Sequence, residues 1–351
     1  MRIVNKKNIF NAFFLIALVG ITLWAVFKDQ DVGMILRLLR GVPVGYKLIC
    51  LTLVILFVCS ESVIIKYLFS LLKIKVSMRE CIGYSFVGFF YSCVTPSASG
   101  GQPMQMYYMK KRGIRIASSM IVLMVVTIEY KLVLVLVGMG VVIFGQSLMH
   151  SMSHGVRFFI YLGLGLNTIC VWAMTMLVIY PNWVKLMAEK LYFFLIKIHI
   201  IRNKKNWLDR INNSVEIYKL AAVFMKGNGL VLFNTMMISV LQRFFLFTVT
   251  YVVYRSMGFY GDSAVRIIIL QAVISVAVDM LPLPGGMGIS EHLYLAIFTP
   301  IFGSDMVTTA SMAMSRGYSY YALVVISGIV AFIAHLTMGR NRHVSVKNDS
   351  V

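Results

Sequence analysis

Long apolar runs dominate the sequence, and several reach the length that a helix needs to cross a bilayer. Full-length spans are predicted at residues 9–27, 48–70, 117–144, 157–180, 229–254 and 318–338. About 20 apolar residues cross the hydrocarbon core as a helix, in which every backbone group is hydrogen-bonded within the segment. The chain is therefore predicted to be an all-α polytopic membrane protein with about six full transmembrane helices.

Composition and charge agree with this class. Apolar residues make up 59% of the 351 residues, and 33 Lys and Arg against 13 Asp and Glu give a net charge of +20. A soluble protein of this composition would expose patches that aggregate. Because the bases lie in short segments between apolar runs, they indicate membrane topology and attraction to anionic headgroups, and no nucleic-acid partner is expected.

The basic residues also predict the orientation. Loop 145–156 contains no Lys or Arg, whereas segment 181–228 contains nine. The positive-inside rule places segment 181–228, the basic turn at 110–115 and both termini on the cytoplasmic side. The expected location of the protein is the cell membrane. Segment 28–47 falls outside in this scheme although it carries four bases, so it fits the rule least well.

A single integral membrane domain is expected over residues 1–338, followed by a short cytoplasmic tail at 339–351. Within it, 181–228 is expected to be a basic cytoplasmic segment with interfacial helices at 183–198 and 207–225. No HExxH, GxSxG or P-loop motif occurs in the sequence, so no cofactor or metal is expected.

Two further apolar stretches are interrupted by proline and glycine. Stretch 81–109 contains VTPSASGGQP (Val94–Pro103), and stretch 264–303 contains LPLPGGMGISE (Leu281–Glu291). Proline removes a backbone donor and glycine disfavours helix, so both helices must break. Because the loop charges put both ends of each stretch on one side, each is predicted to be a re-entrant hairpin, one from each membrane face.

Broken helices at corresponding positions in two halves of a chain are typical of a transporter's binding site. They are also compatible with an inverted repeat that relates the two halves. We expect the glycines to free backbone N–H groups, Gln102 to cap, Pro103 to begin helix 103–111, and Ser290 to cap helix 290–302. The helix N-termini would then suit a phosphate or carboxylate. Ordinary proline kinks are the alternative. The predicted lipid-headgroup residues are Pro96, Gly100, Gly101, Gln102, Pro103, Pro284, Gly285, Gly286, Gly288, Ser290 and Glu291.

Charged residues inside the apolar segments are a second indication of function. Such residues are costly in hydrocarbon and face the bundle interior or water. Glu129 and Lys131 point about 200° apart around a helix, so each needs a partner elsewhere. We predict an intramembrane charge network of Glu129, Lys131, Arg243 and Asp279 near the broken helices, with Glu129 and Arg243 as a pair. Separate structural ion pairs between helices are the alternative.

The two interruptions, the basic turn at 110–113 and Glu129-Tyr-Lys131 together resemble the lysylphosphatidylglycerol synthase transmembrane region, also called the flippase-like domain family. The likeness covers nearly the whole chain. It implies movement of aminoacylated phospholipid across the bilayer, an activity linked to resistance against cationic peptides. Full synthases carry a soluble aminoacyl-transferase domain after the membrane region. Only the tail 339–351 follows here, so aminoacyl transfer by this chain alone is not expected.

The leading functional hypothesis is a lipid translocator. It would act on an anionic or aminoacylated phospholipid such as phosphatidylglycerol or its lysyl form, or on a polyprenyl-phosphate-linked lipid. The alternatives are the membrane component of a phosphatidylglycerol lysyltransferase, with catalysis supplied elsewhere, and an ion-coupled transporter of small solutes. Membrane phospholipids are the expected partners, and a separately encoded transferase and an oligomer remain open.

Overall fold

A computed structural model shows the chain as an assembly of packed helices. It describes residues 40–95, 98–180 and 219–338, together with positions 33, 37, 182, 183, 185, 186, 190 and 216. Every regular element in these ranges is helical. The predicted span 9–27, the tail 339–351 and about two thirds of the predicted interfacial helices lie outside the described residues.

Most consecutive helices are joined by short connections, and residues 180–228 separate the helix that ends at Ile179 from the one that begins at Gly229. In chain order they are α1 Val44–Leu71, α2 Met78–Val94, α3 Gly101–Lys111, α4 Ile116–Phe144, α5 Gln146–Ser151, α6 His154–Ile179, α7 Gly229–Ser256, α8 Ala264–Val278, α9 Ile289–Phe302, α10 Asp305–Arg316 and α11 Leu323–Met338. A 3₁₀ turn, Pro284–Gly286, precedes α9, and a π-helical segment, Gly317–Ala322, joins α10 to α11.

Five helices in the described ranges are long and apolar enough to cross a membrane. They are α1, α4, α6, α7 and the continuous helix Asp305–Leu336, which contains α10 and most of α11. The ends of α1, α4, α6 and α7 lie within four residues of the predicted spans. The all-α polytopic membrane class is therefore confirmed.

The last predicted span, 318–338, begins too late, because the helix that contains it starts with α10 at Asp305. The buried side of α10 mixes hydroxyl residues with alanine and methionine. The Ser311 hydroxyl lies 2.6 Å from the Tyr294 hydroxyl, and that of Ser315 lies 2.7 Å from Thr250 Oγ1. Because the hydroxyl residues interrupt the apolar pattern, the sequence did not indicate this helix.

The first interruption separates α2 from α3, which fold back on each other. Gly101 at the start of α3 packs on Gly88 of α2, and a Cβ at Gly101 would lie 2.6 Å from the Gly88 carbonyl oxygen. At the turn Gly100 lies next to Thr95, and later in α3 the Gln105 side chain contacts Gly88, which is earlier in α2. The two helices therefore run antiparallel. A capping box of Ser77 and Glu80 begins α2. The predicted helix break is thus confirmed, and the hairpin is held by glycine contacts.

The second interruption follows α8, whose end is fixed by close packing on α6. A Cβ at Gly163 of α6 would lie 2.6 Å from the Ala277 Cα, so the two backbones touch. Asn167, which is fully buried, donates to the Gly163 carbonyl at 2.9 Å and to the Val276 carbonyl at 3.4 Å. Small residues and interhelical amides commonly hold membrane helices together in this way. This packing places the end of α8, and Asp279 after it, in the interior of the protein.

Candidate functional site: a cavity between the two broken helices

A cavity of about 490 Å³ lies where the two interruptions meet. The first interruption contributes Ala98, Ser99 and Gln102 to its wall, and the second contributes Gly285, Gly286 and Ser290. Five charged side chains line the same cavity: Glu61, Lys131, Arg243, Asp279 and Arg316. Two segments that are distant in sequence therefore share one site.

Apolar and aromatic side chains complete the wall. They come from α1, α2, α4, α7, α8 and the second interruption, and include Phe57, Phe89, Leu123, Leu246, Ile274 and Leu283. A small number of polar groups in a mostly apolar concave site is the usual composition of a ligand pocket.

Asp279 is the centre of a three-residue ion-pair cluster in this wall. Lys131 Nζ of α4 lies 2.8 Å from Asp279 Oδ2, and Arg243 Nη2 of α7 lies 3.5 Å from Oδ1. The Arg243 guanidinium also lies over the Tyr130 ring, 3.3 Å from its centroid. Lys131 and Arg243 are each about half-way along a membrane-length helix. The cluster therefore lies deep between the helices, at the level where transporters commonly hold their substrates.

Glu129 does not join this cluster. Its Oε1 accepts a 2.6 Å hydrogen bond from the Thr235 hydroxyl of α7. The described ion pairs of Arg243 and Lys131 are with Asp279, and none involves Glu129. Of the predicted network, Lys131, Arg243 and Asp279 thus come together, whereas the predicted pairing of Glu129 with Arg243 is not found.

Glu291 organises the second interruption. One carboxylate oxygen, Oε2, accepts from the Gly288 backbone N–H at 2.7 Å and from the Ser290 hydroxyl at 2.8 Å. The other oxygen lies 2.9 Å from Arg316 Nε, and Arg316 also donates to the Gly285 carbonyl at 3.1 Å. Gly288 is therefore the N-cap of α9, and the prediction that Ser290 caps this helix is wrong.

Tyr320, in the π-helical segment, connects the end of α2 with the second interruption. Its hydroxyl donates to the Cys93 carbonyl at the end of α2, at 2.9 Å. Its ring packs on Gly285, where a Cβ would lie 2.5 Å from Tyr320 Cζ, and Gly285 also has a φ of +58°. Only glycine fits both this contact and this backbone conformation. No sequence pattern indicated Tyr320, and Arg316 was not singled out because it precedes the predicted apolar run.

The first interruption differs from its prediction in three details. Helix α3 begins at Gly101, so Pro103 is its third residue and not its first. The Gln102 side chain does not cap α3, because its amide contacts the Thr127 hydroxyl of α4. The Gln105 amide, which was not predicted, donates to Glu61 Oε1 at 2.7 Å and so connects α3 to α1.

Several glycine N–H groups that we expected to be free are already bonded within the protein. The Gly100 N–H donates to Thr95 Oγ1 at 2.9 Å, and that of Gly286 donates to the Leu283 carbonyl at 3.1 Å. The Gly288 N–H is bonded to Glu291, as described above. The prediction that these three glycines offer free donors to an anion is therefore wrong. The fixed charges of the cavity come from side chains, with three bases and two acids in the wall.

The remaining predicted residues surround the cavity or fall outside the description. Gly101 packs on α2, and Glu291 contacts two lining residues, Ser290 and Arg316. The backbone of Pro284 begins the 3₁₀ turn, whereas Pro96 lies outside the described residues. The binding role of the whole set stays a prediction.

Comparison with known protein families identifies the relatives of this chain. Residues 12–327 match the family described as Lysylphosphatidylglycerol synthase TM region. No curated protein and no solved structure matches the chain. The matched range contains both interruptions, the Asp279 cluster and Glu129, and it connects the chain with membrane lipids. Since the match covers most of its length, the chain belongs to the lysylphosphatidylglycerol synthase transmembrane-region family.

Proposed function

We propose that the chain is a lipid translocator that holds a phospholipid headgroup in the cavity between its two broken helices. The observation that carries this proposal is the shared wall, in which both interruptions and the Asp279 cluster face one space of about 490 Å³. Irregular backbone is tolerated at membrane depth where it is buried in protein or lines a cavity, and there it commonly contacts a substrate.

The bases in the cavity wall are suited to an anionic group. Lys131, Arg243 and Arg316 line the cavity together with Glu61 and Asp279, and Glu291, which is paired with Arg316, balances the third base. Arg316 is planar and multivalent as a donor, and its Nε and one Nη are bonded to Glu291 and Gly285. Its other donors and the Lys131 ammonium supply the charge-assisted bonds that a phosphate prefers.

The substrate class that we propose is an anionic or aminoacylated phospholipid, such as phosphatidylglycerol or its lysyl form. The family description supports this choice. A polyprenyl-phosphate-linked lipid offers the same phosphate chemistry and is the second candidate. The apolar side chains of the wall would contact the glycerol and the first methylene groups, while the acyl tails stay in the bilayer.

The proposal is tested with purified protein in liposomes that contain fluorescent phosphatidylglycerol or its lysyl form. We expect wild-type protein to expose inner-leaflet lipid to a membrane-impermeant quencher faster than empty vesicles do. Lys131→Met should slow this by about 10- to 100-fold, the equivalent of one charged hydrogen bond. Lys66→Met is the matched control, because Lys66 lies in α1 with an exposed side chain and should leave the rate unchanged. Equal rates for wild type and empty vesicles with both lipids would refute the proposal.

One alternative is favoured by the family description, namely that the chain is the membrane component of a phosphatidylglycerol lysyltransferase. Lipids extracted from a host that makes phosphatidylglycerol but lacks lysyl lipid would distinguish the two. Lysyl lipid that accumulates only when the chain is expressed with a separate transferase would support this alternative. Translocation would then be a separate step, tested by the liposome assay.

We propose a cell-membrane location with both termini in the cytoplasm. The orientation rests on the bases of segment 181–228 and on their absence from loop 145–156. Reporter fusions in these two segments test it: a fluorescent protein should be active at 181–228 and an exported phosphatase at 145–156. The reverse pattern would overturn the orientation.

A further inference from the structure

Glu129 lies in a buried polar pocket behind the cavity wall, apart from the Asp279 cluster. It is 6% exposed, and two residues of α7 pack against it, Thr235 at 0% and Ser239 at 1% exposed. Thr235 and Ser239 are four residues apart, so both hydroxyls lie on the same face of α7. The Thr235 hydroxyl donates to Glu129 Oε1, and the Ser239 hydroxyl lies next to the same carboxyl group.

The second carboxylate oxygen, Glu129 Oε2, and the Ser239 hydroxyl are fully buried next to each other. Their contact lies outside the usual hydrogen-bond geometry, and neither atom has another partner among the described residues. One turn further along α7, the amide nitrogen of Gln242 is also buried and unbonded. Buried polar atoms in native proteins are nearly always satisfied, and an exception commonly marks a bound ion or water. These atoms would be satisfied by an occupant between α4 and α7.

The charge of Glu129 decides what this occupant is. A buried carboxylate without a cation costs several kcal/mol or more, so it is neutralised by a proton or by a bound cation. No described ion pair reaches Glu129 from the helices packed against α4, on which Lys66 and Lys110 are exposed. Lys131 and Arg243 pair with Asp279, Glu61 accepts from Gln105, and Arg266 pairs with Asp262. On α3, Lys111 lies over the Tyr107 ring.

We propose that Glu129, Thr235 and Ser239 form a binding site for one monovalent cation, a sodium ion or a proton. A single carboxylate with two hydroxyls provides one negative charge and hard oxygen donors, which suits one positive charge. No group of three or more His, Cys, Asp and Glu that could hold a metal ion occurs in the described residues, so the pocket lacks the charge that a divalent ion needs. This cation site does not depend on the proposed function. Only a coupling of cation binding to lipid movement would rest on the proposed function.

Two measurements on purified protein in detergent test this site without any lipid assay. Equilibrium binding of radioactive sodium, against choline at constant ionic strength, tests for the metal ion. Infrared spectroscopy of the protonated-carboxyl C=O stretch at neutral pH tests for the proton. We expect one of the two signals in wild type and its loss in Glu129→Gln.

Matched variants keep the test decisive. Glu61→Gln removes another buried acid and should retain the signal of Glu129. Thr235→Val and Ser239→Ala should each weaken sodium binding by about ten-fold if sodium is the occupant, the equivalent of about 1.4 kcal/mol. Thr248→Val is their control, because Thr248 lies on α7 with an exposed hydroxyl that is bonded to the Phe244 carbonyl.

The outcomes separate the two cations. Sodium binding that is lost in Glu129→Gln assigns a sodium site. An absence of sodium binding, with a carboxyl band that Glu129→Gln removes, assigns a proton site. An ionised Glu129 that binds no sodium would overturn the proposal, since the pocket would then hold only water. Because neither measurement uses lipid, this result would leave the translocator proposal standing, and a failed liposome assay would leave the site standing.

Discussion

Asp279 and Glu129 both place a carboxylate inside the helix bundle, Asp279 partly exposed to the cavity and Glu129 buried, and they are satisfied in opposite ways. Asp279 has two cations, Lys131 and Arg243, whereas Glu129 has the Thr235 hydroxyl and no described ion pair. Glu291 lies between these extremes with one cation, Arg316. Acids inside the helix bundle therefore differ in role according to their partners. An acid with fixed partners is a structural part of the site wall, and one without them remains available to a cation.

The largest effect is expected at the acid with the most partners. Asp279→Asn leaves Lys131 and Arg243 buried side by side without an anion. Breaking a buried ion pair in this way costs about 3–5 kcal/mol of unfolding free energy. Unfolding in mixed detergent micelles measures it. Adding Lys131→Met to Asp279→Asn should recover part of the loss, because one of the two orphaned charges is then removed. A loss below about 1 kcal/mol would show that the cluster contributes little to the fold.

An intermediate effect is expected at Glu291, through its partner. Arg316→Met removes one ion pair and the bond to the Gly285 carbonyl, while Glu291 keeps its bonds to Gly288 and Ser290. We expect a loss of about 1.5–3 kcal/mol, the range for hydrogen bonds to charged groups. The same unfolding assay measures it, and a loss as large as that of Asp279→Asn would break the proposed order.

Glu129→Gln should change the unfolding free energy by about 1 kcal/mol or less in sodium-free buffer. The Gln carbonyl can still accept from Thr235, and the amide can donate to Ser239, so no charge is stranded. This variant therefore separates binding from stability. A destabilisation of 3 kcal/mol or more would mean that Glu129 has a charged partner and would remove the contrast with Asp279.

The smallest effect is expected at Lys66. Its side chain is exposed on α1, and a long basic side chain near a helix end can reach the interface. Lys66→Met should change stability by no more than about 0.5 kcal/mol, the usual range for surface substitutions. A larger change in the unfolding assay would show that position in a membrane helix, and not pairing, determines the cost of losing a charge.

The sequence predicted the apolar helices and both helix breaks, since these depend on local composition. Helices α1, α4, α6 and α7 follow from unbroken apolar runs, and the breaks follow from proline and glycine. The amphipathic α10 was missed because hydroxyl residues interrupt the apolar pattern of its buried face. The partners of the acids were missed for another reason. Asp279 and Lys131 are 148 residues apart, and their contact depends on how α4, α7 and α8 pack. Helical periodicity indicated only that Glu129 and Lys131 must look in different directions.

The internal bonding of the glycines has a consequence for how a ligand leaves. The N–H groups of Gly100, Gly286 and Gly288 are satisfied by the protein itself. An empty cavity therefore strands none of these donors, and the departure of any bound group would leave them satisfied. Sites that conduct must hold their cargo weakly enough to let it go. Because the backbone donors of the wall are satisfied without a ligand, a ligand gains little binding free energy from them. This favours rapid exchange over a long residence time.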